Sequence, residues 1–185
     1  ISFKEIKILR SFSLIEDFKS TLALYRYIRK ENFDIVVGHT PKGALISILA
    51  SYIAGTKKRI YFRHGIFYET KGHLGKIFYK NVERLLSGLS TKVVCVGPFV
   101  LKRSLKDKIT KKEKLTILNI GSCNGVDVEN QFNPKNISKL KKVNLSNKLG
   151  IIGNSFVLGY VGRLIKEKGI TELVQAFLDL QIKYK

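Results

Sequence analysis

Residues 33–65 read FDIVVGHTPKGALISILASYIAGTKKRIYFRHG. The opening FDIVVGH, 33–39, is a short apolar run rich in Val and Ile, the pattern of a buried strand. TPKG follows as a turn, with a proline where a helix can start. Ala44, Leu45, Ile48, Leu49 and Tyr52 then recur at helical spacing. TKKRIYFRHG returns to a turn and a second strand over 59–63. A strand, a helix and a strand joined by short turns make the unit of a parallel sheet, with a right-handed crossover.

The same alternation extends outward. Leu14, Phe18, Leu22, Tyr25 and Ile28 predict an amphipathic helix over 14–30, with that face in the core. Leu74, Ile77, Phe78, Val82, Leu85 and Leu86 predict a helix over 74–89. TKVVCVG, 91–97, and LTILNIG, 115–121, read as further strands, with a short helix in FVLKRSLKDK between them. The fold class is α/β, a Rossmann-like parallel sheet covered by helices. Residues 124–153 change character, becoming rich in Asn and Lys with few apolar anchors. They read as a connection, centred on 128–150, with a short helix near 136–148. SFVLGYVGRL then predicts a new strand, and Ile170, Leu173, Val174 and Phe177 a new helix. The expected organisation is an N-terminal domain over 1–150, incomplete at its start, and the first strand–helix unit of a second Rossmann-like domain over 151–185. One such unit cannot bury its own sheet face, so the expectation is that a longer protein continues it. The absence of any Met fits an internal piece.

Hydrophobic residues are 44% of the 185, enough for a sizeable core. The formal charge of +20 suits a polyanionic partner, an anionic membrane surface, or a Lys-rich proteome. The lysines are scattered, with the densest run at 102–114, and no basic recognition helix or aromatic single-strand platform stands out, so no nucleic acid is expected. Cys95 and Cys123 have neither metal-ligand nor disulfide-framework spacing and read as free, reduced, partly buried thiols. No apolar run approaches the roughly 18 residues of a membrane span, and no signal-peptide pattern opens the chain. The expected location is cytoplasmic, with peripheral contact on the inner face of the cytoplasmic membrane.

GYVGRLIKEKG, 159–169, places glycines, Arg163 and Lys168 where a strand turns toward a helix. Ligands of open parallel sheets bind outside the carboxyl ends of the strands. Glycines there let backbone amides approach an anion, and a helix N-terminus adds partial positive charge. Arg163 offers a planar fork for phosphate oxygens and Lys168 a mobile point charge. A solvated basic turn fits the same residues, and the spacing matches neither the dinucleotide fingerprint nor the Lys-Ser/Thr phosphate loop.

His39 and His64 each end a predicted strand and so share one rim of the sheet, a pocket pattern. Two histidines without a third ligand do not make a metal site. Structural hydrogen-bonded histidines fit equally well. His73 falls in a predicted loop and has no assigned role. GSCNGVD puts Gly121, Ser122, Asn124 and Gly125 at the end of a strand, as a tight turn with exposed amides or a plain link. Asp127 suits a cap on the next turn. Of the aromatics in 61–79, most are expected in the core, with Phe67 and Tyr68 as candidates for an apolar groove edged by Lys71 and Lys76.

GYVGRLIKEKGITELVQAF resembles the start of the second domain in family-four retaining glycosyltransferases of the GT-B fold. HTPKGALISILASYIAG resembles a first-domain helix of their bacterial capsule and lipopolysaccharide members, and IGSCNGVDVENQF their segment just before the domain crossing. Three motifs in order cover nearly the whole chain. The resemblance implies transfer of a sugar from a nucleotide-diphosphate-sugar to an acceptor hydroxyl, with retention at the anomeric carbon and with neither metal nor cofactor. It places Gly162, Arg163 and Lys168 on the donor diphosphate and His64 against the donor sugar as the catalytic residue. His39 and Lys42 fall in the loop facing the cleft. Arg63, where many relatives hold a smaller residue, would meet a phosphate of a lipid-linked acceptor or form a surface salt bridge. Gly121, Ser122 and Asn124 would line the same cleft. The family branch implies a lipid-linked saccharide acceptor in bacterial envelope polysaccharide synthesis. The catalytic carboxylates of the family lie outside this sequence, so the chain alone is expected to be inactive. A nucleotide-sugar epimerase, and a basic module binding nucleic acid or a membrane surface, are the competing readings.

Overall fold

Four strands pair in chain order, β1 (Ile35–His39), β2 (Lys58–Arg63), β3 (Lys92–Cys95) and β4 (Leu115–Ile117), and every pairing is parallel. This computed structural model describes residues 3–9, 11–151, 153 and 155–183. The chain divides into two compact units, Ile1–Gly125 and Val126–Lys185. The sheet and the helices α1 (Leu14–Glu31), α2 (Pro41–Ile53), α3 (His73–Leu89) and α4 (Pro98–Lys106) belong to the first unit, and α5 (Lys139–Lys148) and α6 (Ile170–Lys183) to the second.

Sequential strand order with crossovers of one hand puts every connecting helix on the same face of a sheet. The side chains agree. Gly38, Tyr61, Arg63, Val93 and Cys95 share one face by register, and they meet Ala44 of α2, Glu83 of α3 and Ser104 of α4. The core lies in this layer: Ala44, Ile48, Tyr61, Leu86, Val93, Cys95 and Val100 form one buried cluster. On the opposite face Ile35 and Val37 are exposed and Ile60 and Phe62 half-buried.

Local chemistry sets the helix ends. Ser13 caps α1, accepting from the Glu16 amide, and Asn32 closes it in the left-handed conformation. Pro41 and Pro98 stand in the first turns of α2 and α4, where the missing N–H costs nothing. The last turn of α3 is finished from outside: Lys114 Nζ donates to the carbonyls of Ser87, Gly88 and Ser90, and Arg59 Nε donates to that of Leu89. Cations at a helix C-terminus satisfy free carbonyls and oppose the dipole.

Several expectations change. The predicted face of α1 is covered only toward its C-terminal end: Ile28 is buried and Leu22 and Tyr25 half-buried, whereas Leu14 and Phe18 are 75% and 69% exposed. α1 packs along α2, one neighbour rather than a sheet, and that covers a narrow stripe only. β4 ends at Ile117, because Asn119 and Gly121 take positive φ and turn the chain. In the second unit α6 forms as predicted, but 155–161 belongs to no strand, since an extended segment needs a partner to become one. Cys95 is buried, yet Cys123 is exposed. Burial pushes the Cys95 thiol up, which disfavours its thiolate.

Candidate functional site

The parallel strands bring their carboxyl ends to one rim, where β1 ends at His39 and β2 passes into His64. The two imidazoles meet there, with His39 Nδ1 and His64 Nε2 3.0 Å apart. Phe62, paired with His39 in register, forms the floor: the His39 ring stacks on it at 5.1 Å and 17°, and the His64 ring lies tilted at 5.3 Å. Both histidines remain exposed to solvent. Partial burial, then the neighbouring His39, holds the His64 pKa below the ordinary histidine value.

Thr40, next to His39, has φ 63° and ψ 155°, a region that a β-branched residue rarely enters. Its Oγ1 accepts from the Gly43 amide, so the residue both turns the chain and caps α2. Gly38 makes the rim possible from below. A Cβ there would lie 2.8 Å from Ala44 Cα and 2.5 Å from Ser47 Oγ, so only glycine lets α2 pass this close to β1.

Arg63 is the principal correction among the site residues. It is 1% exposed and points into the helix layer, away from His64. Its guanidinium donates to Glu83 through Nε at 3.0 Å and lies 2.8 Å from the same carboxylate through Nη2. Ser87, Ser104 and Thr110 accept its remaining donors, and Tyr61 donates to the other Glu83 oxygen at 2.8 Å. With its donors used and no solvent access, Arg63 ties α3 and α4 to the end of β2. It does not meet an acceptor phosphate. Lys42 is also committed, 2.7 Å from Asp17 Oδ1 and donating to the Ser11 carbonyl.

Gly121 and Ser122 press against the end of β3. A Cβ on Gly121 would lie 2.8 Å from the Val96 carbonyl oxygen, and the Ser122 amide donates to that oxygen at 2.6 Å. The Gly125 amide donates to Ser122 Oγ. The amides of Ser122 and Gly125 thus make internal bonds, as the plain-link reading has it, while Asn124 stays exposed. Asp127 caps its turn as expected, accepting from the Asn130 amide, which lowers its pKa.

Phe67, Phe78 and Tyr79, with Phe12, Pro41, Leu45 and Val82, line an apolar cavity of about 240 Å³ beside the start of α2. Lys71 Nζ lies 4.5 Å over the Phe67 ring. Tyr68 is not part of this wall. It is 2% exposed and donates to Asp107 at 2.8 Å.

In the second unit, Gly162, Arg163 and Lys168 are exposed. Tyr160 Oη donates to the Arg163 carbonyl at 2.9 Å, and its ring passes beneath Gly162, where a Cβ would meet that oxygen at 2.9 Å. Lys168 ends a short 3-10 turn that Gly169 closes at φ 69° before α6. Neither Arg163 nor Lys168 makes an ion pair among the described residues.

Sequence reasoning missed Glu83, Ser87, Ser104 and Thr110, the partners of Arg63. A signal was present: Glu83 and Ser87 share a helical face with the core residue Leu86, and a carboxylate at a core position calls for a buried cation.

The family described as Glycosyltransferase Family 4 matches residues 3–130. The chain is 33% identical over 169 residues to the capsular polysaccharide biosynthesis glycosyltransferase CapM of Staphylococcus aureus, covering 91% of this chain and 43% of that protein. It is 33% identical over 161 residues to the Escherichia coli UDP-Gal:alpha-D-GlcNAc-diphosphoundecaprenol alpha-1,3-galactosyltransferase, covering 86% of this chain and 39% of that one. Thus it spans about two fifths of the length of these curated relatives. Among solved structures, HepE of Anabaena in complex with UDP and glucose superposes with a TM-score of 0.68 at 19% identity, over 91% of this chain and 42% of that one. A glycosyltransferase from Rickettsia africae superposes with a TM-score of 0.67 at 22% identity, over 94% and 43%. At these identities the structural likeness speaks to the fold.

Proposed function

This chain belongs to glycosyltransferase family 4, and from that premise we propose that the protein moves a sugar from a nucleotide-diphosphate-sugar to an acceptor hydroxyl, with retention, in bacterial envelope polysaccharide synthesis. Residues 1–150 form the acceptor-side domain with its connection, and 151–185 begin the domain that holds the donor. The observation that carries the reading is the solvent-facing His64 at the carboxyl rim of a sheet whose sequence matches this family. His64 contacts the donor sugar. Gly162 admits the diphosphate close to the backbone, and Arg163 and Lys168 hold its charge. Stabilising the departing diphosphate with fixed cations lowers the barrier without a metal.

A lipid-linked saccharide is the proposed acceptor. The E. coli relative is named for a diphosphoundecaprenol acceptor. Here the cavity walled by Phe67, Phe78 and Tyr79 offers apolar surface, and Leu74, Ile77 and Phe78 stand exposed on the first turns of α3 near Lys71. Apolar side chains beside cations suit an anionic bilayer surface. Among the described residues no helix is long and apolar enough to cross a membrane.

The test is nucleoside diphosphate release by the complete gene product, incubated with a panel of nucleotide-sugars and a bacterial lipid extract. Release should depend on the acceptor lipid. Arg163→Ala should cut it by about two orders of magnitude, the scale for losing one electrostatic donor to a transition state, with His64→Ala weakening it alongside. Turnover without acceptor would favour an epimerase, and binding of duplex nucleic acid with no effect of nucleotide-sugars would overturn the reading.

A further inference from the structure

We propose that His39 is a positioning residue for His64: one hydrogen lies between His39 Nδ1 and His64 Nε2, and it leaves His64 as a neutral imidazole whose free Nδ1 presents a lone pair at the rim. The inference rests on the sugar-transfer reading only for the identity of the group that meets Nδ1, a donor hydroxyl.

Two ring nitrogens 3.0 Å apart cannot both carry a hydrogen, nor both turn lone pairs to each other. One donates and one accepts. If His64 Nε2–H donates, both rings keep their hydrogen on Nε2, the form a free neutral histidine prefers. The reverse direction forces both rings into the less stable Nδ1–H form. In either direction the pair holds at most one positive charge while the contact lasts. Phe62 supports both rings from one side, stacked on His39 and tilted against His64, and the contact between Nδ1 and Nε2 sets which edges face each other. The neighbouring charges are spoken for: Lys42 of α2 is bound to Asp17, and Arg63 of β2 points to the other face and Glu83. Among the described residues, burial first and then the His39 charge lower the His64 pKa. With the favoured tautomers His64 presents an acceptor at Nδ1, suited to a hydroxyl and unsuited to donating to a phosphate.

The chain holds three histidines, so imidazole nitrogen NMR on uniformly labelled protein resolves each, with His73 as an internal control. In the wild type, His64 should show an N–H at Nε2 and a bare Nδ1, and titrate below the ordinary histidine value of about 6.5. His39→Phe keeps a ring over Phe62 and removes both nitrogens. The His64 midpoint should then rise and its tautomers mix. His39→Asn keeps an oxygen acceptor near the Nδ1 position, so it should restore the tautomer and not the lowered midpoint. Unchanged dispersion of the backbone amide spectrum shows that each variant is folded. A His64 that titrates identically in wild type and His39→Phe, or that carries its hydrogen on Nδ1, overturns the proposal. The readout uses no donor or acceptor, so failed sugar transfer leaves the pair standing, and an uncoupled pair leaves sugar transfer standing.

Discussion

Arg63 and His64 leave β2 one after the other and point to opposite faces, since side chains alternate along a strand. The first is sealed against Glu83 and three hydroxyls, and the second reaches the rim. Removing one partner of a buried ion pair strands the other, at a cost of about 3–5 kcal/mol. Arg63→Ala should lower unfolding free energy in denaturant titration by that order. A paired Arg63→Met, Glu83→Leu change should recover most of the loss, because the desolvation cost leaves with the charges. Recovery failing in the double variant would mean the network also fixes the α3–α4 geometry. Two buried phenols make a second residue-scale prediction. Burial first, then the Glu83 charge for Tyr61 and the hydrogen bond to Asp107 for Tyr68, raise both above the ordinary range. Their contribution is complete below the unfolded value of about 10 and is lost as pH rises beyond it. Phenolate absorbance should show these two silent until alkaline unfolding, with Tyr68→Phe removing one late-titrating group.

β1 and α2 meet at Gly38, and the closeness of that crossing sets where His39 emerges. Gly38→Ala drives a Cβ to 2.8 Å from the α2 backbone, which no rotamer relieves, and overpacking of this kind costs about 1–3 kcal/mol. Gly88→Ala is the matched control: it lies inside α3 with nothing within 4 Å of the new Cβ, and should stabilise by about 0.5–1 kcal/mol. Opposite shifts in thermal midpoint are the expected result. The helices themselves were legible, since apolar spacing marked their bodies and the proline of TPKG marked the start of one. How far along α1 the predicted face is covered was not, because periodicity measures how a helix is built and not how many neighbours it has.

For the whole molecule, a charge of +20 combines with apolar side chains exposed on α3. Binding to vesicles containing anionic lipid should fall steeply with salt, as screening shortens the reach of surface charge. Leu74→Asp should weaken sedimentation with vesicles while leaving circular dichroism unchanged, because Leu74 is 81% exposed. Equal binding to neutral vesicles at high salt would contradict this surface.

The sequence by itself determined the parallel α/β order, from Val- and Ile-rich runs alternating with helical periods, and it put His39 and His64 on one rim, because every strand of a parallel sheet ends on the same side. Its motifs also carried the family. Tertiary structure alone decided that Arg63 serves the core, that Lys42 is held by Asp17, that the amides of Ser122 and Gly125 are internal, and that the two imidazoles share a contact of 3.0 Å. Spacing along a chain tells which face a side chain takes. Whether a charge there meets solvent, a ligand or an opposite charge depends on residues brought from other elements, as Glu83 and Ser104 are brought to Arg63 across 20 and 41 positions.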